Sequence, residues 1–304
     1  MGLSSETLSN LFSSPTAIIA GLIGLFCLLN LKSLPFFWHL RIISAFTQHR
    51  STSFNHNPSD TLNLSKHLHT PLLFRPLITT TRCSILEIDY VLHKSNSTYL
   101  TDLDISRVHL LLALFKNGIA NLQKNEYAAG KKKTVMPVLG GVSVSFRRAI
   151  PPLQKYDVVT RVLCWDEKWI YVVSWFVKAG YMGGTKKKKE KESYGSSNGG
   201  SANIAGKQEN TESSRPIFPK NVYATSLAKY VIKAGSVTVK PESLIVAGGL
   251  LPVGGSNEAK GARAIIEKER LRALKYGTAF SQLDGLHGEL DVDVDTLGFF
   301  RDLV

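Results

Sequence analysis

Residues 87–107 read EIDYVLHKSNSTYLTDLDISR and hold three aspartates, a histidine, an asparagine and an arginine where one periodicity gives way to another. Upstream, Ile78 to Leu92 (ITTTRCSILEIDYVL) is dense in β-branched residues and predicts a strand. Downstream, Leu100, Leu103, Val108, Leu111, Leu112, Phe115 and Ile119 recur at helical spacing, with Ser95 or Asn96 available as N-cap and Gly118 near the expected end. A helix of about 20 residues, roughly 30 Å long and apolar around much of its circumference, has to be surrounded rather than laid on a surface.

The following sequence supplies something to surround it. VMPVLGGVSVSFRRAI (135–150), VVTRVLCWDE (158–167), WIYVVSWFVKAGYM (169–182) and NVYATSLAKYVIKAG (221–235) each read as a strand. One strand, one long helix and four antiparallel strands predict an α+β chain of the hotdog type, a sheet wrapped around one central helix. The expected domain is 75–250. Residues 183–215, charged and Gly/Ser-rich without apolar periodicity, predict a disordered insert in one hairpin loop, tolerable because closure entropy grows only logarithmically with length.

The flanks differ in character. Residues 16–31, TAIIAGLIGLFCLLNL, carry no charge, and Leu34 to Trp38 extend the apolar path. Residues 1–50 are therefore expected to be a single-pass, uncleaved membrane anchor with its flank. Glu6 and the lack of Lys or Arg before the run speak against a signal peptide. Lys32, Arg41 and Arg50 on the C-terminal side predict a cytosolic catalytic domain, and with it no glycan at Asn63 or Asn96. Residues 51–74 read as a polar linker, whose His56, His67 and His69 have no metal-ligand spacing. Residues 251–304 read as a charged amphipathic helix and an acidic tail.

The net charge of +13 admits nucleic acid or an anionic membrane. Its local excess lies in Lys131–Lys133 and Lys186–Lys189, runs without the interleaved aromatics of a base-stacking surface, so no nucleic-acid partner is expected. Cys27, Cys83 and Cys164 are odd in number and widely spaced, which indicates neither a disulfide framework nor a zinc site. GxxxxGK[ST] and GxGxxG are both absent from the sequence.

The segment Asp89-Tyr-Val-Leu-His93-Lys-Ser-Asn96-Ser-Thr-Tyr99-Leu100 resembles the D-x-x-G-H-x-N-N-x-x-Y-L motif of 4-hydroxybenzoyl-CoA-type hotdog thioesterases. Asp104-Ile-Ser-Arg107 is similar to the D/E-x-x-R of the membrane-anchored branch typified by thioesterase superfamily member six. The strand pair 145–176, with its turn Arg161-Val-Leu-Cys-Trp165-Asp166-Glu-Lys168-Trp169, resembles the same branch, which includes fungal thioesterases accessory to lipopeptide and polyketide pathways. The likeness covers about residues 75–245. Two positions depart: Leu92 stands for the family glycine and Ser95 for the first asparagine.

The resemblance implies acyl-thioester hydrolysis of acyl-CoA or an acyl carrier by a homodimer, without cofactor or metal. Such chemistry needs a carboxylate to attack the carbonyl or activate water, and donors where the oxyanion forms. Asp89 occupies the family's catalytic position; read by itself, such an aspartate is more commonly a turn residue in an Asx hydrogen bond. Asp104 is the second catalytic candidate, with a brace to Arg107 at i, i+3 as its structural alternative. His93, Asn96, Ser97 and Tyr99 are the candidates for substrate binding, around free N–H groups of the first helical turn. Each also has a structural reading, as loop hydrogen bond, helix cap or core aromatic. Arg147, Arg148 and Lys131–Lys133 are candidates for the phosphates of CoA or of a carrier arm. The alternative function is a non-catalytic hotdog that binds acyl groups or a partner at a membrane.

Overall fold

The computed structural model describes residues 15–51, 70–128, 130, 133–182 and 221–289. The linker histidines, Asn63, the lysine-rich insert, most of the Lys131–Lys133 run and the acidic end lie outside the described residues. Its elements are α1 (Pro15–Leu29), α2 (Phe37–Ser51), β1 (Leu77–Arg82), α3 (Thr98–Ala128), β2 (Val135–Phe146), β3 (Lys155–Trp165), β4 (Trp169–Lys178), β5 (Val222–Ala234), β6 (Val237–Val239), α4 (Pro241–Ala247) and α5 (Asn257–Ser281). The strands form one antiparallel sheet in the order β1-β3-β4-β5-β2, with β6 paired to β5.

Alternation along the strands sorts the side chains. Val158, Val162, Val172, Phe176, Ala224, Ala228 and Ile232 are buried in the two clusters that Leu103, Leu110, Leu114 and Phe115 of α3 complete. Each large apolar side chain so buried contributes about 1.5–3 kcal/mol, and this is what holds the sheet around α3. Between these clusters runs a polar rung, Ser106 to Thr160 to Ser174, at 2.8 Å for both steps.

Three expectations change. The strand read over 78–92 ends at Arg82, because Ser84 and Glu87 form a reciprocal capping box around the 3-10 turn Ile85–Glu87. The central helix has 31 residues, about 46 Å at 1.5 Å per residue, and does not stop near Gly118. A Cβ at Gly118 would stand 2.6 Å from the Leu244 carbonyl oxygen, so this glycine lets α4 approach rather than ending α3. Leu100, expected on the buried stripe, is exposed, while Tyr99, one residue earlier, is buried.

The C-terminal helix α5 packs on the outer face of the sheet, opposite α3. Ala273 and Phe280 meet Cys164 and Tyr171 there. Ser256 caps its start, the hydroxyl accepting from the Ala259 N–H at 3.2 Å.

The N-terminal segment departs most from its reading. α1 has 15 residues, about 22 Å of helix against about 30 Å of hydrocarbon. Among the described residues no helix is long and apolar enough to cross a membrane, so the spanning anchor is not seen. The run ends where Asn30, Lys32 and Ser33 turn into the domain: Asn30 Oδ1 accepts from the Leu86 N–H at 2.7 Å, and the Ser33 and Ser84 hydroxyls lie 2.5 Å apart. Lys32 and Arg41, two of the three charges behind the expected orientation, spend their charge on carboxylates inside the protein.

Candidate active site

The crowded stretch folds as a closed turn followed by a helix start. A bridge between Ile88 and Lys94 closes it, the Asp89 N–H donates to the His93 carbonyl at 3.0 Å, and the Leu92 N–H donates to the Asp89 carbonyl at 3.1 Å. Leu92 has φ +60°. That left-handed position is what the motif's glycine supplies freely, and a β-carbon there costs about 1–2 kcal/mol. The turn of the motif is thus kept with a leucine in it, and the surrounding hydrogen bonds hold the strain.

Asp89 stands half-buried at the head of this turn. Its Oδ1 accepts from the Val91 N–H at 3.0 Å, and its Oδ2 lies 3.4 Å from His93 Nδ1. His93, Asn96 and Tyr99 then line a cavity of about 300 Å3 with Phe146, Arg147 and Arg148. Three of the four substrate-binding candidates and both arginine candidates are therefore brought together. Ser97 is exposed and occupies the position before the first helical residue, where the cap was expected one or two residues earlier. The N–H groups of Ser95, Thr98 and Leu100 donate to backbone carbonyls. Those of Asn96, Ser97 and Tyr99 have no hydrogen-bond partner among the described residues. They are the open donors at the positive end of a long helix.

Tyr99 forms the floor. Its ring meets Phe146 and Phe176 edge-on at 5.0 and 4.8 Å, and burial raises its hydroxyl pKa well above the usual phenol value. It offers a neutral aromatic wall. Asp104 stands apart from the cavity. Its carboxylate accepts from Arg107 Nη2 at 2.7 Å, the helix brace that the spacing allows.

Beneath the turn lies a cluster that the sequence did not single out. Asp102, on the first turns of α3, is 2% exposed. Lys94 lies 3.0 Å from both its Oδ2 and Glu87 Oε1, Lys32 bridges the same two carboxylates at 3.2 and 2.8 Å, and Arg41 approaches Oδ1 at 3.1 Å. Burial would raise the Asp102 pKa; the three cations and the Tyr156 hydroxyl outweigh it and hold the carboxyl well below its usual range. Burial in turn lowers the Lys32 pKa, against the pull of Asp102. An Asp three residues after a buried Tyr99, on the face that must pack, was the available signal.

These charges fix the turn from below. Lys94 follows His93, its N–H donates to the Ile150 carbonyl at 2.9 Å, and its ammonium sits 5.3 Å from the Tyr99 ring centroid. Asp102 is too enclosed and too fully paired to serve as a reagent. Cysteine chemistry is also disfavoured, since burial pushes the Cys83 and Cys164 thiols up to about 11 and about 12.

Residues 83–187 match the family described as the thioesterase-like superfamily. The chain is 36% identical over 237 residues to the probable thioesterase atnL of Emericella nidulans, covering 75% of this chain and 70% of that protein. The chain belongs to the thioesterase-like superfamily. A second relative of this family, the thioesterase poxG of Penicillium oxalicum, is 33% identical over 274 residues, 86% of this chain and 83% of that one. The protein THEM6 of Drosophila melanogaster is 29% identical over 96 residues, 31% of this chain and 45% of that protein. The family resemblance carried by the Asp89 motif is thereby borne out, and with it the hotdog fold.

Proposed function

We propose that this chain hydrolyses acyl thioesters, as acyl-CoA or on an acyl carrier, in the cavity above Tyr99. The observation that carries this reading is the half-buried Asp89 carboxylate at the head of a closed turn that leads directly into the open N–H groups of Asn96, Ser97 and Tyr99. The amides polarise the thioester carbonyl and receive its developing negative charge. Asp89 attacks the carbonyl or takes a proton from the attacking water, with His93 holding its second oxygen. Arg147 and Arg148, on the cavity wall, meet the phosphates of the CoA or carrier arm.

Three finer elements belong to the same reading. The exposed apolar side chains of α1, among them Ile19, Leu22 and Leu28, and Phe36 and Trp38 after it, favour attachment to a membrane, and Arg50, the remaining charge of that flank, favours a cytosolic domain. The outer edge of β2, which has no strand partner among the described residues, favours a homodimer. Fungal relatives favour a place as accessory enzyme in lipopeptide or polyketide synthesis.

The test is a panel of acyl-CoA and acyl-carrier substrates offered to the full chain and to Asp89→Asn and Asp89→Ala. Turnover that falls at least 100-fold in both variants supports the role of Asp89; undiminished turnover sinks it. The bond from Val91 N–H to Asp89 is the one observation favouring the alternative, an acyl-binding hotdog without hydrolysis. Tight acyl-CoA binding with no hydrolysis across the panel would establish that alternative.

A further inference from the structure

The outer face of the sheet carries a second cavity, of about 530 Å3, that the thioester chemistry does not use. It lies between α5, the segment 70–76 leading into β1, and the outward side chains of β3 and β4. Alternation fixes the face: Thr160 bonds to Ser106 of α3 on the inner side, so Val159 and Arg161 point outward.

Arg161 gives this cavity its character. Its guanidinium carbon lies 5.6 Å from the Trp175 ring centroid, and no carboxylate stands within ion-pair distance of it among the described residues. The acidic residue of the wall, Glu269, is already engaged by Arg272, whose Nε and Nη2 donate to it at 3.1 and 2.7 Å. Only Arg272 is paired with this carboxylate, which leaves the Arg161 charge uncompensated in a half-buried place. Burial first and Arg272 second press the Arg161 pKa down, a penalty that a bound anion would relieve.

The rest of the wall narrows the ligand. Beside the polar Thr70 and Tyr181, the residues Phe74, Val159, Val177 and Ile265 are apolar, so a phosphate or nucleotide would leave this apolar surface uncovered. A neutral lipid would leave Arg161 uncompensated. The volume falls within the range of about 300–1,000 Å3 that small-molecule sites occupy.

We propose that the outer cavity binds a small amphipathic carboxylate, its head on Arg161 beside Arg272 and its apolar body along Trp175, Phe74 and Ile265. Such a head suits the planar donor fork of arginine, and such a body replaces water on the aromatic and aliphatic wall. The proposal stands apart from the hydrolytic reading, because binding is measured without turnover.

Decanoate, kept below its aggregation concentration, is titrated into the full chain by tryptophan fluorescence and calorimetry, with decanol and acetate as body-only and head-only probes. Saturable decanoate binding is expected, at least tenfold tighter than either control. Arg161→Met and Arg272→Met should each weaken it, the former at least tenfold, while Arg161→Lys retains part of the affinity and Asp89→Asn leaves it unchanged. Undiminished decanoate affinity in Arg161→Met and Arg272→Met chains that melt at the wild-type temperature would overturn the proposal. So would decanol binding as tightly as decanoate, a loss of affinity in Asp89→Asn, or no saturable binding of decanoate to the full chain.

Discussion

The Tyr156 hydroxyl donates to Asp102 Oδ2 at 2.5 Å, tying the start of β3 to the first turns of the central helix under the turn that carries Asp89. Tyr156 is fully buried, and burial first, then Asp102, raises its pKa far above the usual phenol value, so it stays a donor at every working pH. Around this bond three cations meet the same carboxylate, Lys32 and Lys94 at Oδ2 and Arg41 at Oδ1. The turn that holds the candidate reagent thus rests on a buried charge cluster.

Removing one member of that cluster exposes the remaining charges to a dry interior. Asp102→Asn is expected to cost about 3–5 kcal/mol of stability, and Tyr156→Phe about 1.5–3 kcal/mol, as for hydrogen bonds to charged groups. Urea denaturation of both variants checks this. A midpoint within error of wild type for Asp102→Asn would show that the cluster carries no net stabilisation.

The same cluster makes the N-terminal segment part of the domain. Deleting residues 1–50 removes Lys32 and Arg41 along with the Asn30 and Ser33 bonds to the 84–87 turn, and is expected to lower the unfolding midpoint well below that of the full chain. Lys32→Met alone should reproduce part of the loss. Equal midpoints for full-length and shortened chains would refute this dependence.

Leu92 offers the opposite sign. Its φ of +60° and its exposed side chain mean that Leu92→Gly relieves strain and gives up little packing. The greater freedom of glycine in the unfolded chain offsets part of this, leaving an expected gain of up to about 1 kcal/mol. Thermal unfolding decides the sign, and a clear fall in melting temperature would mean that the leucine side chain holds the turn.

Acidification should weaken the seam between α2 and α3. His49 Nε2 and His109 Nδ1 lie 3.0 Å apart, close enough to share one proton, and two are disfavoured. Both pKa values lie below the usual 6.5, through burial first, then through Lys116 for His49 and through His49 and Arg41 for His109. The unfolded chain then binds protons more readily, so stability is intact above about pH 6.5 and falls as pH drops below it. Comparing melting temperatures at pH 7.5 and 5.5 keeps clear of the carboxylate range. The drop should shrink in His109→Gln, and an equal drop in that variant would point to other groups.

By itself the sequence determined the order of elements and the identity of the turn. The β-branched run VVTRVLCW reads as a strand and the 3.6-residue stripe of α3 as a long helix that must be surrounded, so their order leaves few arrangements beyond a sheet wrapped on a helix. The Asp89 motif and its two departures were legible as letters. Tertiary structure decided what those letters do: Leu92 takes the glycine's left-handed conformation because hydrogen bonds on both sides close the turn around it. It also decided that Asp102, one aspartate among three, carries the buried charge, since its partners Lys32 and Arg41 come from a distant segment and Lys94 reaches it across the closed turn. A periodicity describes one segment at a time. Charge pairing across 70 residues, and the Gly118 approach to Leu244, arise only when segments meet, so the apolar run of α1 reads as a span while the residues that end it are anchored in the domain.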